Sequence, residues 1–381
     1  MTQSQVYFTS MRTQRGSNLL EKLERLVKKA GIEALGFRDK YTAIKIHLGE
    51  PGNLGYLRPN YTKVIVDLIR ANGGKAFLTD CNTLYVGRRK NALDHLEAAY
   101  ENGFNPFATG CHVIIADGLK GTDETLVPVH GDYIQNARIG RAVMDADIIV
   151  SMTHFKGHES TGFGGVLKNL GMGCGSQGGK MEMHCSGKPV VRPKKCRSCG
   201  ACIKDCGQDA ISYNAEGKAV IDQTRCVGCG RCLGACHFGA ISVPWDEAND
   251  ILNCKIAEYT KAVLAGRPSF HISFVVDVSP ACDCMSSNDV PIIADVGIFA
   301  SFDPVALDMA CVDAVNRQPV IVGSKLGEKK RREADRAGHS GQGDDMPDHF
   351  GKLHPETNWR ICLEHAEKIG VGSLAYELVE V

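Results

Sequence analysis

The chain has 381 residues, 44 Lys+Arg balanced by 44 Asp+Glu, and 43% hydrophobic residues. That apolar content supports a sizeable core and excludes a disordered or fibrous chain, and the neutral balance argues against nucleic acid as the main partner. No apolar run approaches the roughly 18 residues of a membrane span. The start, Met1-Thr-Gln-Ser-Gln, lacks a basic region leading into an apolar stretch, so a cytoplasmic protein is expected.

In chain order, an amphipathic helix is predicted over Ser17–Ala30, with Leu19, Leu20, Leu23, Leu26 and Val27 on one face and Gly31 as its stop. A strand follows over Tyr41–Leu48, then a helix over Asn60–Ala71 and a strand over Lys75–Thr79. A helix over Asn91–Glu101 and strands over His112–Ala116 and Asp147–Met152 continue the pattern. After a cysteine-rich segment come a helix over Asp246–Ala265, strands over Ser269–Asp277 and Pro291–Asp295, and a helix opened by Asp303-Pro304. This alternation predicts an α/β fold with a mainly parallel sheet and flanking helices. Residues 325–349 are charged and poor in apolar side chains, and read as a mobile surface loop.

Ligands of open parallel sheets bind beyond the carboxyl ends of the strands. His47, Glu50, Asp80, Asp117, Asp277, Ser279 and Asp295 gather at such ends. The richest stretch, Thr153–Lys180, carries His154, Lys156, His158, Lys168, Asn169 and Cys174 in a Gly-rich context. Gly-rich backbone flanked by lysines suits an anionic substrate or phosphate, which makes His154, Lys156, His158 and Lys168 the candidate catalytic residues. Gly173-x-Gly175-x-x-Gly178 lacks the strand–turn–helix frame of a dinucleotide fingerprint. Flavin is therefore an alternative cofactor without motif support.

The 17 cysteines are an odd number in a long chain without an export signal, which points to metal or cluster ligation rather than disulfides. Eight of them form two copies of C-x2-C-x2-C-x3-C: Cys196, Cys199, Cys202, Cys206, and Cys226, Cys229, Cys232, Cys236. The copies are offset by 226 − 196 = 30 residues, and the duplication extends to Gly200/Gly230, Ala210/Ala240, Ile211/Ile241 and Ser212/Ser242. A cubane cluster takes four thiolates, and three cysteines spaced by two can wrap one cluster. Zinc sites instead split into ligand pairs a dozen or more residues apart. Between Val190 and Trp245, eight Lys/Arg outnumber four Asp/Glu, an excess that two dianionic clusters would neutralise.

This segment resembles the bacterial two-cluster ferredoxin module. The resemblance implies two [4Fe–4S] clusters, one held by Cys196, Cys199, Cys202 and Cys236, the other by Cys226, Cys229, Cys232 and Cys206. Gly207 and His237 stand where that family usually has proline. The implied organisation is an α/β domain in two parts, residues 1–187 and 246–381, with a small α+β ferredoxin-like module inserted at 188–245.

Cys282 and Cys284 lie in Ser-Pro-Ala-Cys-Asp-Cys. At i and i+2 in extended chain they point the same way. With Cys174, Cys185 or a nearby His they form a candidate third metal or cluster site. Cys81, Cys111, Cys254, Cys311 and Cys362 are isolated and read as buried core thiols.

Three further stretches, Thr-His-Phe-Lys-Gly-His, Gly-Phe-Gly-Gly-x-x-Lys-Asn-Leu-Gly-Met-Gly and Asp-Pro-Val-Ala-Leu-Asp, resemble the uncharacterised iron–sulfur-centre proteins of bacteria and archaea. In those, a domain of unknown function carries an inserted ferredoxin module. The resemblance spans nearly the whole chain and implies an anaerobic setting, but no reaction. The leading expectation is low-potential electron transfer between a redox partner protein and a site in the α/β domain. The alternatives are an oxidoreductase acting on a small anionic substrate, and a protein with structural or sensing clusters.

Overall fold

A computed structural model describes residues 3–85, 87–185, 188–245, 247–337 and 347–381. Its centre is an eight-stranded sheet: β1 (Ser4–Ser10), β2 (Tyr41–Lys45), β3 (Lys75–Asp80), β4 (Val113–Ile115), β5 (Ile148–His154), β6 (Ser269–Val275), β7 (Gly297–Ser301) and β8 (Tyr376–Glu380). The order is β8-β1-β7-β6-β5-β2-β3-β4. Pairing is parallel except where β7 runs antiparallel to β1 and β6.

Period-two alternation puts neighbouring side chains on opposite faces. Ala43, Ile149 and Phe299 enter one core, beneath the helices Val166–Cys174, Asn249–Leu264 and Pro304–Asn316. Ile44, Val150 and Ile298 enter the other, beneath Leu19–Lys29 and Pro59–Ala71. With both faces covered, β5 is buried at every position, as a central parallel strand should be. Among the described residues, no helix is long and apolar enough to cross a membrane.

The first helix starts on a capping box. The Asn18 side chain accepts from the Leu20 and Glu21 N–H groups, and Glu21 accepts from the Asn18 N–H. Just past its end, Gly31 takes φ +87°, a left-handed conformation that ends the helix. The helix Val166–Cys174 starts differently. Gly165 at its N-cap has no side chain to offer, and Asp308 from another helix takes that role. Its carboxylate accepts from the Val166 N–H at 2.7 Å and the Leu167 N–H at 3.0 Å. A Cβ at Gly165 would lie 2.3 Å from Asp308 Oδ1, so glycine leaves the space the carboxylate fills. Burial pushes the Asp308 carboxyl up to about 7, against the pull of the two N–H groups. Asp308→Ala should destabilise the protein by about 1–3 kcal/mol in denaturant unfolding. An unchanged midpoint would show that this helix start does not depend on the carboxylate.

Several elements depart from the sequence reading. Residues 291–295 are not a strand; Ile293 makes a single bridge to Val320, and the sheet strand is Gly297–Ser301. Pro291 has no N–H to give a ladder, which disfavours it within a central strand. Strands β1 and β8 were not anticipated; β8 is a half-exposed edge strand with no long apolar run. Residues 325–337, expected as loop, form the helix Lys325–Ala337. Its Lys, Arg, Glu and Ala residues are good helix formers, and Leu326 supplies a fully buried anchor. The rest of that expected loop, 338–346, lies outside the described residues, as do positions 186, 187 and 246 around the expected module boundaries. The helix predicted from Asp246 is observed as Asn249–Leu264.

Residues 190–242 form small elements of their own. Val190–Val191 pairs with Ile241–Ser242, and Ile211–Tyr213 with Ala219–Ile221. The short helices Ala201–Lys204 and Arg231–Ala235 each begin after a glycine at φ +75°, Gly200 and Gly230. The sequence duplication is thus repeated in the backbone. Cys196, Cys202, Cys232 and Cys236 share a buried cluster with Ile211 and Ile241, and with Leu84, Met181 and Cys185 from neighbouring segments. Lys90 Nζ donates to the Cys236 carbonyl at 3.1 Å, and Lys120 pairs with Asp205 at 3.2 Å.

Candidate functional site

A cavity of about 400 Å³ opens beyond the carboxyl ends of β2, β3 and β5. Lys45 and His47 reach it from β2 and the residues after it, and Asp80 from the end of β3. The hairpin Lys156–His158/Gly162–Gly164 supplies Lys156 and His158. The helix Val166–Cys174 supplies Lys168 and Asn169, and the helix Gln177–His184 supplies Lys180 and His184. Trp245, beyond the cysteine-rich segment, closes one side with its ring 4.5 Å from that of His184.

The floor is a buried charge network. Lys45 Nζ lies 3.2 Å from Asp80 Oδ1 and 2.8 Å from Asn169 Oδ1. Arg89 and His95 reach Asp80 from 3.8 and 3.9 Å. Burial alone would raise the Asp80 carboxyl, but Lys45, His95, His47 and Arg89 hold it below the usual carboxylate range. Burial lowers His47 and His95 to about 3 each, so both rings are neutral at pH 7. Arg89 is fixed by Glu50 Oε2 at 2.8 Å. Gly173 leaves room for Lys45, since a Cβ there would sit 2.6 Å from its Nζ. Of the cationic side chains that line the cavity, Lys45, Arg89 and Lys156 are paired with Asp80, Glu50 and Asp283, which leaves Lys168 and Lys180 facing Glu159. That surplus suits an anionic ligand.

Opposite the network stands the Cys282–Cys284 turn. It is not extended chain: the Met285 N–H donates to the Cys282 carbonyl at 3.1 Å, closing a tight turn. Asp283, between the two cysteines, points inward. Its carboxylate lies 2.9 Å from His154 Nδ1 and 3.1 Å from Lys156 Nζ. Both thiols thereby face the cavity. The Cys282 thiol is lowered well below the ordinary range, first by a hydrogen bond from Cys284, then, against burial, by the charge of Lys168 and a hydrogen bond from His158. Cys284 is raised correspondingly by its bond to Cys282 and by burial. The surroundings of the pair thus favour the thiolate at Cys282 over Cys284.

Of the four candidate catalytic residues, Lys156, His158 and Lys168 line the cavity. His154 does not: it is buried behind Asp283, with its second nitrogen 2.9 Å from the Val276 carbonyl, and it positions the turn. His158, Cys282 and Cys284 offer ligand atoms within 4.8 Å of one another, the one such triplet found among the described residues. Cys174 and Cys185 sit elsewhere. Cys174 is buried with its carbonyl 3.3 Å from Cys81 Sγ, its thiol raised by burial to about 11. Cys185 Sγ bonds the Met181 carbonyl. Cys81, Cys111, Cys254, Cys311 and Cys362 are buried as expected, although Cys81 also touches the cavity. Asp117 accepts from Asn82, while Asp277, Ser279 and Asp295 serve turns.

Sequence reading missed Lys45, Arg89, Lys180 and Asp283. Lys45 carried a usable signal: a charged residue inside a predicted buried strand needs a partner. Asp283, between two cysteines, carried none.

Cys196, Cys199, Cys202 and Cys236 line one small cavity, although Cys236 belongs to the second copy of the repeat. Burial and then the neighbouring Cys229, Cys226, Cys202 and Cys206 push the Cys232 thiol up, so cysteines of both copies stand near it. Backbone N–H groups point at the sulfurs in matched pairs: Ala210 to Cys206 at 3.3 Å, and Ala240 to Cys236 at 3.2 Å.

Among solved structures, the lactate racemase apoprotein from Thermoanaerobacterium thermosaccharolyticum is similar at 12% identity and a TM-score of 0.42, covering 100% of this chain and 83% of that one. A structural-genomics protein from Thermotoga maritima is similar at 14% identity and a TM-score of 0.37, covering 77% of this chain and 57% of that one. No curated protein matches the chain. The model of the family described as domain of unknown function (DUF362) matches residues 42–313, and the chain belongs to that family.

Proposed function

We propose that this protein is an iron–sulfur oxidoreductase. Residues 188–245 are a ferredoxin-type module holding two [4Fe–4S] clusters, and single electrons pass from a partner protein through it to a small anionic substrate in the α/β cavity. The observation that carries the reading is the gathering of Cys196, Cys199, Cys202 and Cys236 around one space. Thiolates are the donors such clusters take, and the N–H groups of Ala210, Ala240 and Ala219 aimed at sulfur are the contacts that tune them. When bound, the clusters supply one-electron chemistry. The chain's own residues hold the route. A Cβ at Gly230 would lie 3.1 Å from the Gly178 nitrogen, so the second cysteine loop packs directly on the helix that carries Lys180 and His184 to the cavity. A plain carrier has no use for a cavity that sets Lys168 and Lys180 around a pair of thiols, which favours the reductase form.

Anaerobically purified protein should contain about eight iron and eight sulfide per chain. About four of each, or zinc in place of iron, would overturn the two-cluster reading.

A further inference from the structure

We propose that Cys282 and Cys284 form a dithiol–disulfide couple that reduces a small anionic disulfide bound in the cavity. The two sulfurs lie within 4.8 Å of each other on one tight turn. Asp283 anchors that turn from behind through His154 and Lys156, so both side chains stay turned to the ligand space. Lys168 Nζ is 3.9 Å from Cys282 Sγ, and the Cys284 N–H points at the same sulfur from 3.5 Å. Cations and N–H groups around one sulfur stabilise its thiolate, the nucleophilic form.

The same triplet would be read as a metal site but for His158. Its Nδ1 accepts from the Ser160 N–H at 3.0 Å and the Thr161 N–H at 3.3 Å. That leaves the ring hydrogen on Nε2, so the ring offers Cys282 a donor rather than offering a metal a lone pair.

The exchange balances as follows. The Cys282 thiolate attacks one sulfur of the substrate disulfide, forming a mixed disulfide and expelling the first thiolate, which takes the Cys284 proton. Cys284 then attacks Cys282 Sγ. The Cys282–Cys284 bond forms, and the second substrate thiolate leaves and takes a proton from solvent. Closing the bond brings together, to about 2 Å, two sulfurs that start within 4.8 Å of each other. Lys168 and Lys180, the cavity lysines not paired with a carboxylate, select carboxylate-bearing disulfides over neutral ones. Return to the dithiol takes two electrons and two protons, which matches two one-electron clusters. This second half rests on the function proposed above; the exchange half does not.

Full-length anaerobic protein treated with glutathione disulfide, an anionic probe, tests both. Peptide mass spectrometry should find a Cys282–Cys284 disulfide in the wild type and glutathione released. Cys284→Ser should instead retain glutathione on Cys282, and Cys282→Ser should do neither. Absence of the adduct in Cys284→Ser, or a bound zinc that shields both thiols in the wild type, would overturn the couple. In protein whose clusters are reduced and freed of reductant, the probe should restore oxidised-cluster absorbance in the wild type and not in Cys282→Ser. Equal restoration in both would overturn the couple as the route. Exchange at Cys282 with clusters that stay reduced would leave the couple standing and overturn the electron path of the proposed function.

Discussion

Cys206→Ala should strip the cluster whose other ligands are Cys226, Cys229 and Cys232, leaving about four of eight irons per chain. Local reading of the repeat assigns Cys206 to the first set, since it lies four residues beyond Cys202. In the fold, Cys236 of the second copy closes the cavity of Cys196, Cys199 and Cys202, which leaves Cys206 for the other set. Cys236→Ala should therefore remove the other cluster, and the two variants should retain different signals by low-temperature electron paramagnetic resonance. Were Cys206→Ala and Cys202→Ala to damage the same cluster, the ligand sets would be local and the crossed assignment wrong.

Lys45→Met should destabilise the protein by about 3–5 kcal/mol, because it leaves the Asp80 carboxylate buried without its nearest cation. Lys45 is 1% exposed and Asp80 3%, so water cannot substitute. Arg89 at 3.8 Å remains but is already committed to Glu50. Lys45→Met combined with Asp80→Asn should recover most of the loss, and a loss below about 1 kcal/mol would show that Arg89 suffices. The pH dependence has a definite sign. The folded Asp80 carboxyl is held below its ordinary value of about 3.9, so its contribution is present above that value and fades as the pH falls toward the folded one. The stability gap between wild type and Asp80→Asn should shrink below about pH 4.

How far the sequence reached depends on what each residue's role requires. Strands at 41–45, 75–80 and 148–154 were legible because burial on both faces leaves an apolar run. So was the location of the cavity, because β2, β3 and β5 run parallel and present their carboxyl ends to one side. Strands β1 and β8 were not, because the partners of β1 lie hundreds of positions away and β8 is a largely exposed edge strand. The stretches Gly162–Gly173 and Asp303–Asp308 stood out as motifs without showing why. Asp308 caps the helix that Gly165 opens, and no local pattern records that pairing. His154 was over-read: an imidazole next to lysines suggests chemistry, yet its partners are Asp283 and a carbonyl. The thiol pair was legible as a pair, but its turn and its polarisation come from Met285, His158 and Lys168, three separate places in the chain.

The place of β1 between β7 and β8 has a consequence for how the protein is made. Synthesis delivers Ser4–Ser10 first, but its partners, Gly297–Ser301 and Tyr376–Glu380, come last. The parallel strands β2 to β6 are complete by Val275, so that block can assemble while the amino-terminal strand still has nothing to pair with. Through most of translation the nascent chain thus carries an unpaired β1, and from Val275 until Gly297 an open β6 edge as well, the two features that invite intermolecular pairing. The antiparallel return of β7 is the event that retires both at once, since it bonds β6 on one side and β1 on the other. Ribosome-bound chains halted before Gly297 should be markedly more prone to aggregate than those released after Ser301, and a chaperone serving this protein would act chiefly in that interval.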